Sequence, residues 1–152
     1  MRIVLDTNVL ARAVASPGGP AGECFERIAA DHVLVVSLEL LAELARALSY
    51  DRVRRMHQLN DAGIDAFIES IEGGATVVSL PPPLPRVVPH DPDDDVVVAT
   101  AVAGRVEVLC TRNRHLFEES VVAYCHEHGI EIMDDIHLLA RMRGREAGWP
   151  DR

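Results

Sequence analysis

Short apolar segments rich in β-branched residues alternate with longer segments of helical periodicity, and this alternation constrains the fold more than any other feature. The predicted strands lie at residues 2–6, 32–36, 75–80, 106–110 and 130–133. Helical segments or turns separate each strand from the next. This order is typical of α/β proteins. The sequence therefore predicts a mostly parallel central sheet of about five strands, flanked by helices.

The predicted helices begin at residues that cap helices well. Ser37 precedes a helical segment over 38–48, and Asp134 precedes a final helix that ends near residue 143. Asp51 and Asn60 are predicted caps of two further helices. Together these signals fix where the main helices start.

The length of the chain predicts one domain over residues 1–143, followed by a loose tail over 144–152. The proline-rich segment 81–89 is expected to be an ordered connector, because it suits neither a helix nor a central strand. No apolar run approaches the roughly 20 residues that span a bilayer, and the N-terminus does not resemble a secretion signal. We therefore expect a cytoplasmic protein without a membrane partner.

The charge of the chain limits its chemistry. The net charge is −9, and all 15 basic residues are arginine. The lack of lysine excludes a P-loop lysine and a Schiff-base lysine. An acidic protein binds nucleic acid poorly unless divalent cations or local arginine clusters offset its field.

In the segment "HDPDDDVVVATAVA", residues 90–103, aspartates occupy four of the five positions from 91 to 95. Asp91 suits a helix cap, and one further acid would favour the helix dipole. Asp93, Asp94 and Asp95 together exceed that need, because adjacent carboxylates repel one another. A hard cation such as Mg²⁺ or Mn²⁺ would explain the excess, since it prefers carboxylate oxygen.

Two further acids are candidates for the same site. Asp6 follows the first strand, and ligands of parallel sheets gather beyond the carboxyl ends of the strands. Asp6 is also a plausible N-cap of the next helix. Glu43 lies within a largely apolar helical segment, although it shares a face with Glu39 and could be simply solvated.

Four segments, in order, resemble the motifs of PIN-domain ribonucleases. "IVLDTNVL" resembles the first, with Asp6 at the end of a strand, and "SLELLAELARAL" resembles the second, with Glu43 six residues after a serine. "DPDDDVVVATA" resembles the third, an aspartate six residues before a Thr-Ala pair, which selects Asp94. "VLCTRNRHLF" resembles the fourth, with Asn113 in the place of an acid.

The resemblance extends from residue 1 to about 140 and is strongest to the VapC-like toxins of bacterial toxin–antitoxin pairs. It implies a three-layer fold and a nuclease that cleaves single-stranded RNA with Mg²⁺ or Mn²⁺. A cognate antitoxin and a homodimer are the partners that it implies.

The resemblance also implies roles for individual residues. Asp6 and Asp94 would bind the metal directly, while Glu43 would act through water or as a general base. The residues implied to support this site are Thr7, Asn8, Thr111 and Asn113. Arg112 and Arg114 lie beside it in the sequence and are expected to contact substrate.

Two departures from the family pattern leave alternatives open. Asn113 is neutral where an acid is usual, and His115 stands where a further acid is common. These changes put a second metal in doubt and allow a PIN-fold binding module with weak or no catalysis. A phosphotransfer enzyme with Asp6 as nucleophile is a third hypothesis, disfavoured by the missing lysine and by Asn8 where a second aspartate is expected.

Overall fold

A computed structural model describes residues 1–146 and contains a five-stranded sheet with the order β3-β2-β1-β4-β5. Every strand pairing in the sheet is parallel. The strands are β1 (Arg2–Leu5), β2 (Val33–Ser37), β3 (Thr76–Val78), β4 (Val108–Cys110) and β5 (Glu131–Met133). The predicted α/β architecture, with five strands between layers of helices, is confirmed.

Eight α-helices connect and cover the strands within residues 1–146. They are α1 (Thr7–Ala15), α2 (Pro20–Asp31), α3 (Leu38–Ser49), α4 (Asp51–His57), α5 (Asp61–Gly74), α6 (Asp95–Ala103), α7 (Glu119–Glu127) and α8 (Asp135–Glu146). Two short 3₁₀ turns, Pro92–Asp94 and Arg114–Phe117, precede α6 and α7. None of these helices is long and apolar enough to cross a membrane.

The central strands form the core of the protein. Ile3, Val4 and Leu5 of β1 and all three residues of β4 are completely buried. Strands with both faces covered read as continuous apolar runs, which is why these segments do not alternate with polar residues. Helix α3 adds Leu40, Leu44 and Leu48 to the core. Each such side chain contributes about 1.5–3 kcal/mol on burial, so the core holds the carboxyl edge of the sheet rigidly.

Three helix ends test the capping predictions. Asn60 Oδ1 accepts a hydrogen bond from Gly63 N at 2.8 Å, and Asp134 Oδ1 accepts one from His137 N at 2.8 Å, so both caps are confirmed. The predicted Asp51 cap is wrong. Tyr50 occupies the cap position of α4 without a side-chain hydrogen bond, and Asp51 lies in the first turn, where its charge favours the helix dipole.

Helix α8 continues to Glu146 rather than ending near residue 143, so the first residues of the expected tail are helical. Arg143 and Arg145 lie in its last turn, where positive charge favours the helix dipole, and Arg143 forms an ion pair with Glu23 of α2. The rest of the predicted tail, 147–152, lies outside the described residues.

The proline-rich connector is ordered, as predicted, and Asp95 fixes its end. Asp95 Oδ1 accepts hydrogen bonds from Val87 N at 2.9 Å and Val88 N at 2.7 Å, and its Oδ2 lies 3.0 Å from Arg86 Nε. Val88 is completely buried. Because Asp95 is the first residue of α6, these contacts attach the connector to the start of that helix.

The helix expected over residues 93–104 begins differently from the prediction. Asp91 caps a 3₁₀ turn by accepting a hydrogen bond from Asp93 N at 2.9 Å, and the α-helix starts only at Asp95. Pro92 takes the first position of the turn, where its missing N–H has no cost. Asp94 therefore lies at the junction between the turn and α6.

Candidate metal centre

Parallel strands place the residues that follow them at one edge of the sheet. Asp6 follows β1, and Thr111 follows β4. Helix α3, which carries Glu43, follows β2. Asp94 directly precedes α6, which packs against α3 and β1, so Asp94 lies near this edge, and its charge raises the pKa of Asp6 and of Glu43. The structure thus brings together the three predicted acids.

Asp6 is buried at this edge, with 5% of its surface exposed, and is held by its neighbours. Its Oδ1 accepts a hydrogen bond from Thr7 N at 2.8 Å. Its Oδ2 accepts one from Thr111 Oγ1 at 2.8 Å and one from Asn8 Nδ2 at 3.2 Å. The bond from Thr7 caps α1, so Asp6 is an N-cap and also faces the site; the two roles do not compete.

The supporting residues predicted around Asp6 form one network. Thr111 Oγ1 accepts a hydrogen bond from Asn113 N at 3.0 Å, and Asn8 Oδ1 accepts one from Arg112 N at 3.1 Å. Asn113 Oδ1 accepts from His115 N at 3.0 Å and caps the second 3₁₀ turn. These bonds tie the segment after β4 to the start of α1.

The electrostatics of Asp6 reflect this enclosure. Burial raises its pKa, and the charge of Asp94 raises it further. The hydrogen bonds from Thr111 and Thr7 act in the opposite direction, because they favour the carboxylate. A positive ion at this position would favour the ionised form in the same way.

Glu43 faces the other carboxylates and is half-buried, unlike the exposed Glu39 on the same helix. Burial, followed by the charges of Asp6, Asp94 and Asp93, raises the pKa of Glu43 to about 7. The alternative of a simply solvated side chain is therefore not the arrangement in the structure.

Ser37 and Thr100 join α3, which carries Glu43, to α6, which begins directly after Asp94. Ser37 Oγ caps α3 by accepting a hydrogen bond from Leu40 N at 3.1 Å. The same atom lies 2.8 Å from Thr100 Oγ1 of α6, and both side chains are completely buried. This buried hydrogen bond joins the N-terminal cap of α3 to the middle of α6 and restricts how far the two helices can separate.

Asp94 has a carboxylate oxygen that suits a cation. Burial raises its pKa, the Asn113 side chain opposes that effect, and the charge of Asp91 adds to it. Its Oδ2 is buried and accepts no hydrogen bond within residues 1–146. The other oxygens of this kind in that range belong to Asp95 and Asp135, whose carboxylates are paired with arginines. An unpartnered buried acceptor costs free energy, so a bound cation fits Asp94 best.

The three carboxylates are not tightly clustered. Within the part of the chain that the structure describes, the set of three ligating side chains with donor atoms within 4.8 Å of one another is His90, His115 and Glu118. Asp6, Glu43 and Asp94 are therefore more widely spaced. This spacing agrees with an ion that reaches at least one of them through water, as expected for Mg²⁺.

The two arginines predicted to contact substrate differ in their surroundings. Arg112 Nε donates a hydrogen bond of 2.7 Å to Oδ1 of the buried Asp135, so its guanidinium is already paired with a carboxylate of the protein. Arg114 is exposed in the second 3₁₀ turn, next to Asn113. Its role in substrate binding stays a prediction.

A cleft of about 390 Å³ adjoins Glu43 and contains residues that the sequence analysis missed. Its lining is Glu39, Ala42, Glu43, Arg46, Ala47, Tyr50, Asp93 and Val96. Arg46 follows Glu43 by three residues on α3, a spacing that places side chains on one helix face, and Tyr50 is the first residue after that helix. This spacing from Glu43 is the feature of the sequence that could have indicated Arg46. Tyr50 is 64% exposed, which leaves its ring open to contact from solution.

The sequence and the structure were each compared with known proteins. A family model described as PIN domain matches residues 2–115. A comparison with curated proteins gives no significant match. Among solved structures, a chain from the crystal structure of VapBC2 from Rickettsia felis bound to a DNA fragment from their promoter is similar, with a TM-score of 0.58 and 14% identity. The similarity covers 88% of this chain and 98% of that chain, and it shows the fold.

Proposed function

Since the chain belongs to the PIN-domain family, whose members are generally nucleases, we propose that it is a Mg²⁺- or Mn²⁺-dependent endoribonuclease that cleaves single-stranded RNA. One observation carries this proposal. Asp6, Glu43 and Asp94 come from three separate elements and face one another at the carboxyl edge of the sheet, where each has a raised pKa. Such carboxylates are suited to a divalent cation.

Asp6 and Asp94 are the residues that would hold the ion directly, and Glu43 would reach it through water. When bound, such an ion acts as a Lewis acid that activates water and offsets the negative charge developing on the phosphodiester. The hydrogen bonds from Thr111 and Asn8 fix the orientation of Asp6 before any ion arrives. Pre-orientation of a ligand by its neighbours increases metal affinity.

Glu43 is the proposed general base. In the metal-free chain its pKa is about 7. A bound cation would offset the charges of Asp6 and Asp94 and favour the ionised form, so Glu43 would be a carboxylate able to accept a proton. Glu43 would accept the proton of the attacking water, and the Ser37–Thr100 hydrogen bond would keep α3 in place while it does so.

The proposed substrate contacts include two arginines, whose positive charge locally offsets the net negative charge of the protein. Arg46 lies beside Glu43 in the cleft and lowers its pKa slightly, and Arg114 is exposed near Asn113. Either guanidinium can bind a backbone phosphate. The exposed ring of Tyr50 offers a face on which an unpaired base can stack, which favours single-stranded RNA over a duplex.

We extend the proposal to a biological role, that of a VapC-like toxin held by a cognate antitoxin and assembled as a homodimer. The four sequence motifs support it, together with the fold shared with the VapBC2 structure. A catalytically inactive PIN-fold binding module is the second candidate. The neutral Asn113 favours it, since the carbonyl oxygen of this side chain is occupied by His115 N.

RNA cleavage by the purified chain separates these candidates. We expect cleavage of a fluorescent single-stranded RNA in Mn²⁺ and none in EDTA. Asp6→Asn and Asp94→Asn should each reduce the rate by about 100-fold or more, because each removes a charge from the metal site. Asp65→Asn is the matched control, since Asp65 is exposed on α5 outside the cleft and should retain most activity.

Each contrary result has one meaning. A wild-type protein that binds Mn²⁺ and RNA without cleaving would establish the binding module. A near wild-type rate for Asp6→Asn or Asp94→Asn would remove that residue from the set of ligands.

A further inference from the structure

A second group of ligating side chains lies beside the carboxylates. His90 precedes the first 3₁₀ turn, His115 belongs to the second, and Glu118 immediately precedes α7. His90 Nε2 lies 3.0 Å from Glu118 Oε1, and His115 Nδ1 lies 3.5 Å from the same oxygen. The centroids of the two rings are 5.3 Å apart. Both imidazoles thus converge on one carboxylate oxygen.

These distances suit an ion pair and also a metal site. In a tetrahedral zinc site the metal–ligand bonds are about 2.0–2.2 Å, so neighbouring ligand atoms lie about 3.3 Å apart. The two distances to Glu118 Oε1, 3.0 and 3.5 Å, bracket that value. All three donor atoms lie within 4.8 Å of one another, so small side-chain movements are enough to close the set around one ion.

We propose that His90, His115 and Glu118 form a site for a transition-metal ion of the Zn²⁺ class, separate from the carboxylate centre. Two imidazole nitrogens and one carboxylate suit Zn²⁺, Ni²⁺ or Co²⁺, whereas Mg²⁺ prefers oxygen ligands alone. The two sites therefore differ in the metal that they select.

The position of the site allows an ion to enter from solution. The side chains of His90, His115 and Glu118 are 61%, 40% and 32% exposed, so water can fill the remaining coordination positions. Three protein ligands with an open position are a common arrangement for zinc.

The site also connects the two segments that border the candidate nuclease centre. His90 lies four residues before Asp94, and His115 lies two residues after Asn113. An ion held by both histidines joins the end of the proline-rich connector to the segment after β4. Occupancy therefore restricts the movement of the Asp94 segment, which gives transition metals a means to regulate access to the neighbouring centre. The binding itself does not depend on nuclease activity.

Zinc calorimetry in excess Mg²⁺ tests the proposal, since Mg²⁺ occupies the oxygen-only centre. We expect one Zn²⁺ per chain in the wild type and in Asp94→Asn. His90→Ala and Glu118→Gln should each weaken Zn²⁺ binding by at least about tenfold. Losing a residue that only hydrogen-bonds to a metal ligand can already reduce affinity by that much. His137→Ala is the matched control, because His137 is paired with Asp134 at 2.6 Å without belonging to this triad.

The ring resonances of His90 and His115 provide a second measurement by NMR, and both should shift together as Zn²⁺ is added. Retained affinity in His90→Ala and Glu118→Gln would overturn the proposal and leave a hydrogen-bonded cluster. Loss of the ion in Asp94→Asn alone would assign it to the carboxylate centre and overturn the proposal too. Absence of Zn²⁺ binding in the folded wild type would have the same consequence. A protein that binds Zn²⁺ here but cleaves no RNA would refute only the proposed function.

Discussion

Glu43→Gln should stabilise the metal-free protein at alkaline pH and have little effect in acid. The ordinary pKa of a glutamate is 4.5, and burial together with the charges of Asp6 and Asp94 raises that of Glu43 to about 7. Between these values the folded chain holds a proton that the unfolded chain has released. The free energy of unfolding therefore decreases as pH rises from 4.5 to about 7 and then levels off. A glutamine at position 43 removes this dependence.

The magnitude follows from the same two values. The interval from 4.5 to about 7 corresponds to roughly 3 kcal/mol at full ionisation. Because Glu43 is only half-buried, solvent screens part of this repulsion. We therefore expect a gain of about 1–3 kcal/mol at pH 8 and under about 1 kcal/mol at pH 5. For a chain of this size the gain at pH 8 raises the melting temperature by roughly 2–10 °C.

Scanning calorimetry in EDTA at pH 5 and pH 8 measures the effect. Glu39→Gln is the control, since it removes the same charge from an exposed position one turn earlier on α3 and should change stability little. A Glu43→Gln variant no more stable than the wild type at pH 8 would refute the reasoning. An equal gain at both pH values would also refute it, because the effect would then be unrelated to ionisation.

Two further variants test the neighbouring positions. Asp94→Asn should melt at a higher temperature than the wild type in EDTA, because it removes a partly buried charge that lies near other carboxylates. It should also lose most of the stabilisation by Mn²⁺, which is about 2.7 kcal/mol at a hundredfold excess over the dissociation constant. Asp95→Asn, its matched control, should melt lower, since Val87 N and Val88 N lose a charged acceptor. A destabilised Asp94→Asn that still gains fully from Mn²⁺ would contradict the metal site. Asn113→Asp should bind Mn²⁺ more tightly by calorimetry, because the Asn113 side chain interacts with Asp94 and lowers its pKa. Unchanged affinity would show that position 113 does not contact the ion.

The sequence was most informative where local chemistry decides the structure. Apolar runs next to turn residues identified all five strands, and the caps at Ser37, Asn60 and Asp134 were correct. The order of strands in the sheet could not be derived in the same way. It depends on pairing between β1 and segments about 30 and 105 residues away, which local patterns do not encode.

Contacts between distant segments account for most of what the sequence analysis missed. The hydrogen bond from Thr111 to Asp6 joins residues 105 positions apart, although the resemblance to PIN-domain motifs had named both. Nothing local brings His90 close to His115, since a 3₁₀ turn, a helix and a strand separate them. Arg46 could have been found, because its spacing from Glu43 follows one face of α3, whereas Tyr50 lies beyond the end of that helix.

The run of aspartates before α6 shows how adjacent identical residues take different roles. Asp91 caps the 3₁₀ turn, and Asp95 accepts hydrogen bonds from the connector. Asp93 is exposed at the cleft, which leaves Asp94 as the member whose buried oxygen lacks a partner within residues 1–146. The helical backbone produces this division, because side chains repeat their direction about every three residues in a 3₁₀ turn and every 3.6 in an α-helix, so neighbouring aspartates point to different sides. Shifting the turn by one residue would place Asp95 where Asp94 lies and break the two hydrogen bonds to Asp95, so these bonds help determine which carboxylate faces Asp6.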